Sequence, residues 1–332
     1  MRGLLSLRAA SRRVLTDVLG ARANERLAII TDLSDAVTIG MEIARAACEI
    51  GVRVLLMSFS PESDNPRMPE EIIASISSVD CIVLASRRSL TFSPDIVRAV
   101  KDGKRVASCP RVTKGMFVRA LSVDLRDLSS DTRNVAERLN TSSEALIASG
   151  HKSEAFFEIR SRRAVYVDGL AREPSTMTIV PGGIVGIAPV EGSSDGELII
   201  NGSISHLGLL RRPVKVTIEG GEIVDISGGH DAKRLERLLK SYEDKNMYKI
   251  AEIGVGIHPL MRIRGNATED ESSRGTIVIG LGENVGHLGG NIVASDHVDL
   301  FLKSGSMFLD GRPLVINGEL LIGDLYEKGR GR

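Results

Sequence analysis

Between residues 26 and about 125, short runs of Val, Ile and Leu alternate with amphipathic segments of helical spacing. The apolar runs are ERLAIITD, VRVLLMSFS, CIVLAS and KRVASCP, and the segments between them include AVTIGMEIARAACEIG and SPDIVRAVKDG. This alternation is typical of βαβ units, whose strands form a parallel sheet covered by helices. Gly51 and Gly103 stand where two of the helices should end. No GxGxxG motif follows any of these strands, so the pattern predicts a Rossmann-like α/β domain without a dinucleotide site.

The hydrophobic period changes to two after a polar stretch of helical spacing that ends near residue 150. The later apolar segments are joined by Gly-containing turns such as EGGE and LDGRP, and one helix, DAKRLERLLKSYED, interrupts them. A chain of 332 residues is also too long for one ordinary core. We therefore predict two domains: residues 1–150 form the Rossmann-like, parallel-sheet α/β domain, and residues 151–332 form a β-rich α+β domain.

The composition excludes some classes of protein. Lys plus Arg and Asp plus Glu both number 43, so the chain lacks the basic surplus of a general nucleic-acid binder. No run of about 18 apolar residues predicts a membrane span, and the basic N-terminus lacks the apolar core of a signal peptide. The three cysteines are scattered, which favours a reducing compartment. We expect a soluble, cytoplasmic protein with no nucleic-acid or membrane partner.

The Gly-rich segment from 251 to 302 holds the strongest candidates for chemistry. His297 and Asp299 are two residues apart, so in a strand they lie on the same face and can share one metal ion. Imidazole with carboxylate suits Zn, Fe, Mn or Co. A polar, exposed strand edge would have the same spacing, and that alternative stays open. The spacing favours a metal site around His297 and Asp299.

Glu252 lies inside an otherwise apolar stretch, IAEIGVGI. A buried carboxylate needs a cation or hydrogen-bond donors, so a metal ion or a salt bridge to an arginine such as Arg262 would explain it. His258 has the same strand parity as Glu252, but a straight strand would separate the two by roughly 20 Å. Both reach one site only if the glycines at 254 and 256 bend the chain. His258 is therefore a candidate ligand or substrate contact, with a packed histidine as the alternative.

The remaining candidates carry weaker signals. Glu191 ends an apolar strand just before a turn, and His287 lies in a Gly-rich loop as a ligand, a proton shuttle or an exposed side chain. His206 and His230 border turns and are expected at the surface. The acidic run TEDESS is typical of a solvated loop. A P-loop ending and a GxSxG elbow are both missing from the sequence, which argues against a phosphate cradle and a serine hydrolase.

Several motifs in a fixed order resemble one enzyme family. EG is followed by G-x-L-x-I-x-GSI, AE-I-G-x-G-x-x-P, GT-x-x-I-G-LG-x-N, GG and H-x-D. This order resembles the aminopeptidase T and aminopeptidase S metallopeptidases, including the branch with 2,5-dihydroxypyridine dioxygenase. The resemblance implies an α/β N-terminal domain, a β-rich metal domain and a homodimer. In the peptidases two metals are held by glutamates, histidines and an aspartate, and the matching positions here are Glu191, Glu252, His297 and Asp299.

Two departures from the peptidase pattern concern its active site. Val278 replaces the histidine of the GT-x-H motif, and no tyrosine lies between Tyr248 and Tyr326 to match the catalytic tyrosine. The resemblance to the dioxygenase branch instead implies a site in which two histidines and one carboxylate bind Fe(II). His258, His297 and Asp299 would supply these ligands.

Three functional hypotheses follow. The leading one is a metalloaminopeptidase-like hydrolase with Zn, Co or Mn, in which Glu252 is the general base that activates a metal-bound water and His258 is a second catalytic residue. The alternative is a mononuclear Fe(II) ring-cleaving dioxygenase, and the third is a non-catalytic metal-binding protein. The expected substrate is accordingly a small peptide or another small molecule. The candidate metal ligands are Glu191, Glu252, His258, His297 and Asp299.

Overall fold

The computed structural model describes residues 3–150, 152–286 and 288–322. The helices are α1 (Leu7–Arg13), α2 (Ala36–Glu49), α3 (Glu70–Ser77), α4 (Pro94–Lys101), α5 (Lys114–Ala120), α6 (Leu125–Asn140), α7 (His230–Ser241) and α8 (Ala267–Ser272). The first ten strands are β1 (Arg26–Asp32), β2 (Arg53–Phe59), β3 (Cys81–Ser86), β4 (Arg105–Pro110), β5 (Glu144–Ala148), β6 (Glu154–Glu158), β7 (Val165–Val167), β8 (Met177–Ile179), β9 (Ile184–Ile187) and β10 (Asp195–Ile200). The other ten are β11 (Ser203–Ile204), β12 (Gly208–Leu209), β13 (Val214–Glu219), β14 (Glu222–Ser227), β15 (Ile250–Gly256), β16 (Ile277–Gly282), β17 (His297–Leu302), β18 (Ser306–Leu309), β19 (Arg312–Ile316) and β20 (Glu319–Leu320). A π-helical turn (Val14–Val18) follows α1, and a 3-10 turn (Lys245–Tyr248) precedes β15.

The chain folds into two compact units. The first comprises Met1–Ser129 with Val167–Gly182, and the second comprises Ser130–Tyr166 with Gly183–Arg332. This division does not fall at residue 150, where the sequence pattern places it. The end of the polar stretch that was expected to be helical forms β5 instead, and β5 pairs with β6 and β18 of the second unit. The chain then returns to the first unit, where β8 pairs with β4.

The first unit contains a five-stranded parallel sheet in the order β2-β1-β3-β4-β8. Every residue of β3 and β4 is buried, as expected for strands covered on both faces. Apolar side chains of α3 and α4, such as Ile72 and Ile96, pack with Ile82 of β3. Gly51 and Gly103 adopt φ values of 77° and 92° directly after the residues that cap α2 and α4. The predicted Rossmann-like parallel-sheet domain is confirmed.

The second unit is β-rich, as predicted. One sheet has eight strands in the order β14-β13-β10-β6-β5-β18-β19-β20, and the other has seven in the order β12-β11-β17-β16-β15-β9-β7. The EGGE and LDGRP segments form the predicted hairpin turns, between β13 and β14 and between β18 and β19. The predicted helix is α7, which buries Leu235 and Leu239. Among the described residues, no helix is long and apolar enough to cross a membrane.

Candidate metal centre

The three strands β15, β16 and β17 bring together residues from distant parts of the sequence. Glu252 of β15 pairs with Gly280 of β16, which pairs in turn with Asp299 of β17. His297 lies two residues before Asp299 and is opposite Gly282. Glu252, His297 and Asp299 each offer a ligand atom, and these atoms lie within 4.8 Å of one another. The sheet register thus builds a group of one imidazole and two carboxylates that could hold a metal ion.

The imidazole of His297 is oriented by its two nitrogens. Its Nε2 lies 3.0 Å from Oδ1 of Asp299 and 3.4 Å from Oε2 of Glu252. Its Nδ1 lies 2.7 Å from the carbonyl oxygen of Glu283. A carbonyl oxygen can only accept, so Nδ1 carries a proton and donates it. Ligating histidines commonly donate the other ring N–H in this way, which leaves Nε2 for the metal.

Glycines provide the space for these side chains. A Cβ atom on Gly280 would lie 2.6 Å from Nε2 of His297 and 2.7 Å from Cβ of Glu252. A Cβ atom on Gly186 of β9 would overlap the Glu252 carboxylate. The side chains of His297 and Glu252 therefore lie directly over glycine backbone of the neighbouring strands.

The centre carries an excess of carboxylates. Burial alone would lower the pKa of His297, but Asp299 and Glu252 outweigh it and raise this pKa well above its usual value. Burial raises the pKa of Glu271, and the carboxylates of Asp299 and Glu252 raise it further, well above the ordinary range. The raised pKa values favour the protonated forms of His297 and Glu271, which reduces the repulsion among the carboxylates. A divalent cation would relieve the same repulsion by its charge.

Glu271 is a carboxylate under the electrostatic influence of Asp299 and Glu252 that the sequence interpretation missed. The run TEDESS does not form a solvated loop: it forms most of α8, in which Glu269, Asp270 and Ser272 are buried. Asp270 accepts hydrogen bonds from Ser203 Oγ at 2.6 Å and from the backbone N–H of Arg264 at 2.6 Å. The sequence held a signal for the helix, because Asn266 followed by Glu269 matches the pattern of a capping box. The electrostatic interaction of Glu271 with Asp299 depends on the tertiary structure and has no local signal in the sequence.

His258 lies outside the described metal group. Its side chain is buried, its backbone N–H donates to Ser272 at 2.8 Å, and its Nδ1 accepts the N–H of Leu260 at 3.2 Å. β15 keeps regular pairing with β9 as far as Gly256, so the glycines do not bend the chain as a shared site would require. Within the described residues, the group with ligand atoms inside 4.8 Å contains neither His258 nor Glu191.

Glu191 is engaged by protein groups rather than placed among the ligands. Its carboxylate forms an ion pair with Arg162 and accepts the N–H of Asn291 at 2.8 Å. Burial alone would raise the pKa of Glu191, but these hydrogen bonds and the guanidinium outweigh it and lower the pKa. Glu191 lines a cavity of about 420 Å³ together with Lys249 and other residues.

The other named side chains have local roles. Arg262 donates to the carbonyl oxygens of Pro259 and Met261, at 2.8 and 2.7 Å, which gives its guanidinium partners other than Glu252. His230 begins α7 and is exposed, as expected. His206 is partly exposed, with Nε2 at 3.6 Å from Oδ2 of Asp296. The expectations for His287 lie outside the described residues.

Comparison with known proteins identifies the family. The family described as NicX, 2,5-dihydroxypyridine 5,6-dioxygenase, matches residues 12–322 of the chain. The chain belongs to this family. A 2,5-dihydroxypyridine 5,6-dioxygenase of Pseudomonas putida KT2440 is 28% identical over 170 residues, which is 48% of this chain and 48% of that relative. The alignment therefore spans about half the length of this curated NicX-family relative.

Two solved structures share the fold. The structure of 2,5-dihydroxypyridine dioxygenase from Pseudomonas putida KT2440 has a TM-score of 0.81 and 19% identity, covering 96% of this chain and 98% of its own. AmpT from Thermus thermophilus has a TM-score of 0.67 and 14% identity, covering 95% of this chain and 99% of its own. The resemblance to the aminopeptidase T family, including the dioxygenase branch, is confirmed.

The leading functional hypothesis is wrong. The NicX family and the curated relative both carry the name of a dioxygenase, whereas AmpT is a more distant structural neighbour. The prediction of a metalloaminopeptidase-like hydrolase is corrected accordingly. The general-base role that this activity would assign to Glu252 loses its basis. The misassignment has a physical reason: the two branches share a fold, and a fold does not determine the chemistry of its site.

Proposed function

We propose that this protein is a metal-dependent ring-cleaving dioxygenase that acts on 2,5-dihydroxypyridine or a closely related dihydroxylated aromatic ring. Membership of the NicX family supports the reaction class. The observation that carries the proposal is the arrangement of His297, whose Nε2 lies 3.0 Å from Asp299 and 3.4 Å from Glu252 while Nδ1 is bound to a carbonyl oxygen.

The donor set fits a divalent ion. We propose Glu252, His297 and Asp299 as the ligands and Fe(II) as the metal, since imidazole and carboxylate donors suit a non-haem iron site with open positions. The set differs from the expected two histidines and one carboxylate, because the described group contains Glu252 and does not contain His258. When bound, Fe(II) supplies the open coordination positions and the redox chemistry on which dioxygen activation depends.

The protein's own groups would orient the ligands and handle protons. The carbonyl oxygen of Glu283 holds the His297 ring by its Nδ1–H. The raised pKa of Glu271, which follows from burial and from the nearby Asp299 and Glu252, makes its carboxyl group able to hold a proton beside the centre.

Val278 supports a site with one metal ion. It lies two residues before Gly280 on β16, so its side chain is on the same face of β16 as the position of Gly280 that lies against His297 and Glu252. A Cβ atom built on Gly254 of β15 would lie 3.4 Å from Cβ of Val278. An isopropyl group cannot coordinate a metal, so the position that holds a ligand histidine in the two-metal peptidase pattern supplies no ligand here.

Oxygen consumption tests the proposal. Protein purified without oxygen and loaded with Fe(II) should bind one ion per chain, by elemental mass spectrometry, and should consume oxygen with 2,5-dihydroxypyridine. H297A should lose both the ion and the oxygen consumption. The matched control is H230A, because His230 is exposed at the start of α7 and should leave both unchanged. Iron-loaded protein that consumes no oxygen with any dihydroxylated pyridine or benzene would refute the dioxygenase assignment.

The assembly and the location stay predictions. The expected homodimer is tested by sedimentation velocity, and the expected cytoplasmic location by fractionation of cells that express the protein.

A further inference from the structure

Three polar side chains meet next to the metal centre without belonging to the ligand set. The hydroxyl of Tyr242 donates to Oδ2 of Asp296 at 2.7 Å, and Nε2 of His206 lies 3.6 Å from the same oxygen. Asp296 directly precedes the ligand His297 in the chain. Its other carboxylate oxygen, Oδ1, accepts the backbone N–H of His297 at 2.8 Å. One carboxylate therefore connects Tyr242 to the backbone of a metal ligand.

Asp296 also takes part in a closed circuit that holds the His297 ring. The backbone carbonyl of Asp296 accepts the N–H of Glu283 at 2.9 Å. The carbonyl of Glu283 in turn accepts the Nδ1–H of His297 at 2.7 Å. A displacement of Asp296 would thus move the backbone of His297 and the acceptor that orients its ring.

The segment around Tyr242 is attached to the same loop at further points. Asp244 accepts the backbone N–H and the hydroxyl of Ser295, both at 2.8 Å. Asn246 donates from its side chain to the carbonyl of Val293 at 2.8 Å. The residues after α7 therefore form hydrogen bonds with the segment that leads into β17. Among them, Tyr242 contacts Asp296.

We propose that Asp296 is a positioning residue for the metal ligand His297, and that Tyr242 acts through Asp296. The proposal rests on the metal site proposed above. Replacing partners of metal ligands typically weakens metal binding about 10- to 100-fold. We expect a loss in this range for D296A, which removes the acceptor for the His297 backbone, and a loss of about three- to tenfold for Y242F, which removes one hydrogen bond to Asp296.

The test is metal affinity, measured on the full chain by calorimetric titration of metal-free protein with Mn²⁺. Y248F is the matched control, because Tyr248 is also partly buried and none of the described hydrogen bonds involves its hydroxyl. Y242F should raise the Kd for Mn²⁺ while Y248F leaves it unchanged. The ligand-field absorption of the Co²⁺-loaded protein should shift in Y242F and not in Y248F. The melting temperature of the metal-free proteins measures the loss of stability, which should be larger in Y242F because only this variant removes a hydrogen bond to a carboxylate. A loss of stability alone would not shift the Co²⁺ absorption of the folded, metal-loaded protein.

A double-mutant cycle shows whether Tyr242 acts through Asp296. In the D296A background, Y242F should add no further loss of Mn²⁺ affinity, because the hydrogen bond it removes no longer exists. Independent losses that multiply would overturn the route through Asp296. A Kd for Y242F equal to that of Y248F would overturn the role of Tyr242 while the metal site stands. If D296A fails to fold, the comparison of Y242F with Y248F still decides this point. A wild-type chain that binds neither Mn²⁺ nor Co²⁺ would overturn the metal site and this proposal together.

Discussion

Replacing Gly280 by alanine tests the geometry of the metal centre most directly. The added Cβ would lie 2.6 Å from Nε2 and 2.7 Å from Cε1 of His297, and 2.7 Å from Cβ of Glu252. Ordinary carbon contacts are about 3.5–4.0 Å, so the imidazole or the strand must move by roughly 1 Å. Metal–ligand distances tolerate only about 0.2 Å. We therefore expect G280A to weaken metal binding at least about tenfold and, as an overpacked site, to lower the free energy of unfolding by about 1–3 kcal/mol.

The assays for G280A are titration with Mn²⁺ and chemical denaturation of the metal-free protein. G286A is the control, since a Cβ on Gly286 would make its nearest contact, with Oε1 of Glu283, at an ordinary 3.5 Å. G286A should keep the Kd and the stability of the wild type. Wild-type metal affinity in G280A would show that His297 does not lie over Gly280, and the ligand assignment would fail.

Three further predictions follow from the ionisable groups. In metal-free protein the pKa of His297 is raised, because Asp299 and Glu252 outweigh the effect of burial. Protonated His297 therefore stabilises the fold fully below about pH 6.5, and this contribution is lost as the pH rises through the folded-state pKa. The melting temperature of metal-free protein should fall over this window relative to H297A, and an unchanged difference would contradict the ion pairing. E191Q should leave the metal stoichiometry unchanged. It should lower the free energy of unfolding by only about 1 kcal/mol in chemical denaturation, because the partly exposed ion pair of Glu191 with Arg162 is screened by water. Loss of the bound metal in E191Q would instead show that Glu191 is a ligand. Iodoacetamide at pH 8 should label the exposed Cys48 much faster than Cys81 and Cys109, whose pKa values are raised to about 12 mainly by burial, and equal labelling in peptide mass spectra would refute this.

Local periodicity accounts for the parts of the fold that could be predicted. A continuous apolar run such as CIVLAS indicates a strand that is buried on both faces. The apolar period of 3.6 in the segments between the runs indicates helices that pack one side against the sheet. These patterns require only neighbours in sequence, so the parallel sheet and the hairpins around EGGE and LDGRP were predictable. The pair His297 and Asp299 was predictable for the same reason, because the period of two places both side chains on one face of β17.

The residues that complete the site depend on which strands pair and in which register. Glu252 meets His297 and Asp299 only because Gly280 of β16 lies between their strands, and that register is set by packing across the whole sheet. Polar character likewise does not reveal burial: the acidic segment of α8 is buried because Ser203 and backbone N–H groups satisfy Asp270.

Long-range contacts also explain why two expectations from the sequence differ from the structure. Glu191 is occupied by Arg162, 29 positions away in sequence, and β8 returns to the first sheet through its pairing with β4. Such partners are chosen by the free energy of the assembled fold rather than by neighbouring residues. Sequence periodicity therefore predicted the elements and the shared face of His297 and Asp299, and the carboxylate in an apolar stretch made Glu252 a candidate. The tertiary structure brings Glu252 within 4.8 Å of that pair, in a group that contains neither His258 nor Glu191 among the described residues.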